Sequence, residues 1–75
     1  MGGGAALVLI KRSFTLAGHR TSVALEPEFW SALDTLAARD GRSTMRLVRE
    51  VDEARTPEQP LTSALRVRCL LAQPC

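Results

Sequence analysis

The chain has 75 residues and a formal net charge of +2, from ten Lys and Arg against eight Asp and Glu. That length holds one small domain whose core is limited when it folds alone, so a disulfide, a metal or a second copy is expected to complete it. Cys69 and Cys75 lie together at the C-terminal end and the single His19 is far away, which fits no zinc site and allows only a tiny disulfide loop; self-association is the remaining device, and neither metal nor cofactor is expected.

The charge is unevenly spread. Residues 1–25 carry Lys11, Arg12 and Arg20 and no carboxylate, and the acids begin at Glu26. The N-terminal part is therefore electropositive, and the rest is mixed. All basic residues but Lys11 are arginine, whose planar fork suits phosphate and guanine. A GC-rich genome accounts for the same bias. Ala5 to Ile10 is an apolar run far too short to span a membrane, so no membrane partner is expected. It has no basic stretch before it, as a signal peptide would. With free cysteines, this points to a reducing cytoplasm.

Met1 to Gly4 reads as a flexible start. Ala5 to Ile10 is either an extra strand or an interaction tail, so residues 1–10 form an accessory segment. From Lys11 to Leu16 the pattern alternates, with Phe14 and Leu16 apolar and Ser13 and Thr15 polar. Ala17-Gly18-His19 reads as a turn. The next stretch alternates more clearly. Thr21, Val23 and Leu25 fall on one face; Arg20, Ser22 and Ala24 fall on the other. Two arrangements fit. Arg12 to Leu16 pairs with Arg20 to Leu25 in a hairpin, or residues 5–16 are an arm and His19 to Leu25 is a lone strand. A lone strand leaves both edges open and needs a second copy of itself. A strand pairing across a dimer with polar side chains outward suggests a ribbon that reads DNA.

Pro27 stops the strand and suits the first turn of a helix. The spacing of Phe29, Trp30, Leu33, Leu36 and Ala37 predicts a helix over Glu26 to Arg39 with one apolar stripe. Gly41 suits its left-handed C-cap. Ser43 is an N-cap for a second helix to about Arg55, with Leu47, Val48, Val51 and Ala54 as its apolar face, joined by Met45. Thr56 to Pro60 breaks it. A third helix follows from about Leu61, capped by Thr62 or Ser63, and Gln73-Pro74-Cys75 frays.

The order strand, Pro-led helix, Gly41-Arg42-Ser43 turn and second helix resembles the ribbon-helix-helix family of DNA-binding proteins over residues 19–55. The stretch Lys11 to Val23, followed by Glu26-Pro27-Glu28-Phe29-Trp30 and later by Leu61 to Val67, is similar to a small bacterial subgroup of that family. The tail from Arg68 departs from the subgroup, in which the third helix runs on. The resemblance implies a mainly α fold with a short N-terminal β-strand. It also implies an intertwined homodimer, an intermolecular antiparallel ribbon and a C-terminal helix, all within residues 11–75. Its implied core is Val23, Leu25, Phe29, Trp30, Leu33, Leu36, Leu47, Val48 and Val51. Arg20, Ser22 and Ala24 would face the bases of double-stranded DNA in the major groove. Lys11, Arg12, Arg42, Ser43 and Thr44 would hold phosphates, the last three at a helix N-terminus.

Blander readings attach to the same residues. Ser43 caps a helix in either case. Arg20 is also what an edge strand uses to discourage pairing. His19 reads as a turn residue, and Trp30 as core or dimer interface. Arg39, Arg46, Arg49 and Arg55 read as a solvated face. The expected function is a transcriptional repressor. Its rival is an antitoxin-like module whose Leu61 to Leu71 helix binds a protein partner. A ribbon-helix-helix subunit that no longer binds DNA is a third reading. Catalysis is not expected, since no nucleophile has a recognisable base beside it.

Overall fold

The computed structural model describes residues 8–72, in the order β1 (Ile10–Leu16), β2 (His19–Leu25), α1 (Pro27–Arg39), α2 (Thr44–Ala54) and α3 (Leu61–Ala72). The expectations for Met1 to Gly4 and Gln73 to Cys75, and most of the accessory segment, lie outside the described residues.

Of the two arrangements open for the N-terminal part, the structure has the hairpin. β1 pairs antiparallel with β2 from Ile10↔Leu25 to Leu16↔His19. Ala17 and Gly18 form the two-residue turn with φ of 51° and 80°. Positive φ at both positions is the mark of a type I′ turn, whose twist matches that of paired strands. The lone N-terminal strand is therefore corrected to a hairpin within the chain, with one edge of β2 taken by β1. The first partner of β2 is β1 of the same chain, because a tight turn brings that strand alongside at little entropic cost.

Period-two patterning then divides the hairpin. Phe14 and Leu16 of β1 and Val23 and Leu25 of β2 point inward and are buried. They meet Trp30, Leu33 and Ala37 of α1, Leu47, Val48 and Val51 of α2, and Ala64, Leu65 and Cys69 of α3 in one core. Seven of the nine expected dimer-core residues are buried within a single chain; Phe29 and Leu36 are half-buried at its margin. Met45 and Ala54, read as part of the apolar face of α2, are exposed.

The helix ends follow their local sequence. Pro27 sits at the start of α1, and the Glu26 carbonyl accepts from the amides of Phe29 and Trp30. At the other end Gly41 takes φ of 70°. The Arg42 amide donates to the Ala37 carbonyl and the Gly41 amide to that of Ala38, a complete Schellman closure. Ser43 Oγ caps α2 by accepting from the Arg46 amide at 3.2 Å. α3 starts at Leu61, but neither Thr62 nor Ser63 is its cap. Both lie inside the first turn, and the Pro60 carbonyl accepts the Ala64 amide. Among the described residues, no helix is long and apolar enough to cross a membrane.

Candidate nucleic-acid interface

The outward face of the hairpin is made by the alternate residues of both strands. The register sets Lys11 opposite Ala24, Ser13 opposite Ser22 and Thr15 opposite Arg20. Ala24 is half-buried, the other five residues are exposed, and the face as a whole is open to solvent. Ser13 Oγ and Ser22 Oγ lie 3.4 Å apart across the strands. This face carries two cations, three hydroxyls and a methyl, with no carboxylate. Neither Lys11 nor Arg20 has an ionic partner among the described residues. Arg20, Ser22 and Ala24 thus share the expected face, and Lys11 shares it with them. Ser13 and Thr15 were missed as members. Their alternation was visible, but only pairing with β2 makes it part of the same surface.

The residues expected on phosphate separate. Arg12 points inward, so its expected place on phosphate from a free arm is corrected. Its guanidinium lies 4.5 Å from the centroid of the Trp30 ring. From there Nη1 and Nη2 donate to Oδ1 and Oδ2 of Asp34, each at 3.1 Å. Thr44 Oγ1 donates to the same Asp34 Oδ1 at 2.6 Å, so the hydroxyl proton of Thr44 is already committed. Arg42 is held by Glu50 at 2.8 Å and Asp40 at 3.2 Å, which neutralise it locally. Ser43 stands at the start of α2, where the first amides of the helix are also directed outward. Lys11 and Ser43 therefore keep free polar groups, whereas Arg12, Arg42 and Thr44 are bound within the fold.

The carboxylates respond to these contacts. The Arg12 fork, then the Thr44 hydroxyl, hold the Asp34 carboxyl below its usual range. Arg42 first, and Arg68 second, do the same for Glu50. Asp34 itself was not singled out from the sequence, because nothing in a helical carboxylate announces a partner on a strand 22 residues away.

Other expected roles find clear places. Trp30 is core, 2% exposed, and donates from Nε1 to the Ile10 carbonyl at 2.7 Å. Its ring centroid lies 5.9 Å from that of Phe14. Arg39, Arg46 and Arg49 are exposed, but Arg55 is not a free cation of that face. It binds Asp52 and the Gln59 carbonyl, closing the loop after α2. The expected partner helix Leu61 to Leu71 turns Ala64, Leu65 and Cys69 into the core; Val67, Leu70 and Leu71 remain exposed.

No curated protein matches the chain. Among solved structures it is similar to an uncharacterized protein from Bordetella pertussis Tohama I, with 33% identity and a TM-score of 0.72 over 92% of this chain. The match spans 58% of that protein, less than two thirds of its length. The family model for the ribbon-helix-helix domain matches residues 9–72, which takes in both strands and all three helices. The chain belongs to the ribbon-helix-helix family.

Proposed function

We propose that this chain is a sequence-specific DNA-binding protein, a bacterial transcriptional repressor that acts as a homodimer in the cytoplasm and has no catalytic role. The solvent face of the hairpin carries the reading. It offers Lys11, Ser13, Thr15, Arg20, Ser22 and Ala24 without one carboxylate. Arg20 can donate twice to guanine O6 and N7, Ser22 can donate or accept, and Ala24 can touch a thymine methyl.

A second copy completes the ribbon. β1 occupies one edge of β2, and among the described residues the sheet holds these two strands. The other edge of β2, which no described residue pairs with, can take β2 of the second copy about a two-fold axis. The two β2 strands then form the central ribbon in the major groove, flanked by the β1 strands. Arg20, Ser22 and Ala24 lie over the base edges. Lys11 on the flank reaches phosphate, and Ser43 with the α2 amides holds a second phosphate. The partner-binding alternative has less support, since α3 turns Ala64, Leu65 and Cys69 into the core.

The test is a selection from random duplex DNA at near-physiological salt, read by sequencing. The expected result is an enriched palindrome or repeated half-site that Arg20→Ala abolishes, with about 1–3 kcal/mol of discrimination lost per half-site. Binding without enrichment that vanishes as salt rises would overturn the proposal, because it is generic phosphate attraction.

A further inference from the structure

We propose that Asp34 is a positioning residue for DNA recognition, whose carboxylate fixes the spacing between the ribbon and the N-terminus of α2. The inference rests on the DNA-reading function above and assigns the part of the fold that sets its geometry.

Three elements meet at this one carboxylate. It lies on α1, takes the Arg12 fork from β1 on both oxygens, and takes the Thr44 hydroxyl from the first residue of α2. The Trp30 ring holds the Arg12 guanidinium in place, and Trp30 ties β1 a second time through the Ile10 carbonyl. Lys11 lies between these two tethered residues and projects from the opposite face. Its direction is therefore fixed from behind. The same carboxylate locates Thr44, and with it the free amides beside Ser43.

Stability alone is a weak account of the cluster. The side chains of Arg12 and Asp34 are 38% and 45% exposed, and ion pairs this open to water stabilise little. A two-pronged arginine–carboxylate pair contributes orientation as much as energy. Here it joins the two surfaces that would touch DNA in the proposed function: the ribbon and the start of α2.

Charge gives the test its sign. Asp34→Asn removes one negative charge, so generic attraction predicts equal or tighter binding to any duplex. Positioning predicts weaker binding to the selected site. The experiment compares Asp34→Asn, Thr44→Val and the wild type on the selected site and on an unrelated duplex. It runs across a salt series, well below the melting temperature. The expected result for Asp34→Asn is a loss of roughly tenfold or more on the selected site, with the unrelated duplex bound as well as before or better. The slope of log affinity against log salt should fall by about one unit for each phosphate the variant no longer engages. Thr44→Val changes no charge and keeps the backbone amide; it is expected to weaken the selected site alone. If Asp34→Asn fails to fold, Thr44→Val decides. Unchanged or tighter binding of the selected site by the folded variants overturns the proposal while DNA reading stands. A wild type that selects no sequence overturns the function itself, and that result is read before either variant is made.

Discussion

Arg66 of α3 closes on Glu26, the residue that caps α1, with Nη2 donating at 2.9 Å and 3.2 Å to the two carboxylate oxygens. Its guanidinium also lies 5.5 Å from the Phe29 ring centroid. The third helix is thus pinned to the point where the ribbon ends and the helices begin, and Leu65 beside Arg66 is fully buried. Leu65→Ala is expected to cost about 2–5 kcal/mol, comparable to the roughly 3–5 kcal/mol that a core this small supplies. Urea unfolding followed by circular dichroism checks it. A variant as stable as the wild type would mean that α3 is an appendage, and the partner-helix reading would return.

The turn of the hairpin holds a local conflict. Ala17 takes φ of 51° although it has a side chain, in a region that costs an L-residue roughly 1–2 kcal/mol. Asn accepts this conformation more readily, and Asn-Gly is the favoured type I′ pair. Ala17→Asn is expected to stabilise the domain by about 0.5–1 kcal/mol. Gly18→Ala, at φ of 80° with open space around the added carbon, is expected to destabilise it by a similar amount through backbone strain alone. Thermal melts of the two variants must move in opposite directions. If both fall, the turn is of another kind.

Trp30 contributes more than apolar area. Trp30→Phe keeps a ring against Phe14 but removes the donor to the Ile10 carbonyl. The expected cost is about 1–3 kcal/mol for the carbonyl left without its partner. Since Trp30 is the single tryptophan, the variant is followed by far-ultraviolet circular dichroism rather than fluorescence. Unchanged stability would indicate that water replaces the indole at no cost and that β1 is not held by this bond.

The sequence carries the helices and the faces of β2 openly. Proline, glycine and serine stand where caps are needed, and the alternation of Thr21, Val23 and Leu25 against Arg20, Ser22 and Ala24 matches the inward and solvent sides. What it leaves open is pairing. The same alternation serves a strand that waits for a second copy and one that folds back on β1, and only the Ala17-Gly18 turn separates the two. Side-chain commitment is less legible still. Arg12, Arg42 and Lys11 look alike as basic residues near a polar strand or helix start. Arg12 and Arg42 are bound by Asp34, Asp40 and Glu50, and Lys11 is free, because of packing between elements far apart in the chain. Local pattern cannot carry that information.

Three carboxylates give the domain a defined acid limb. Glu26 is held below its usual range by its own backbone amide first and by Arg66 second, Asp34 by Arg12 and Thr44, and Glu50 by Arg42 and Arg68. In the unfolded chain these groups titrate at their ordinary values, 4.5 for Glu and 3.8 for Asp. A carboxylate whose folded pKa is lower stabilises the fold above the unfolded value, and that contribution is lost as pH falls through the folded one. Cys69 acts at the other end. Burial raises its thiol above the ordinary 9.0, so the folded state retains a proton that the unfolded state releases, and stability declines as pH rises past that value. Melting temperature is therefore expected to be level between about pH 5 and pH 9 and to fall on both sides. Asp34→Asn removes one contributor and should make the acid limb shallower without moving the alkaline one. An acid limb of unchanged steepness in that variant would show that the Arg12–Asp34–Thr44 contacts stabilise the fold too little to shape its acid unfolding.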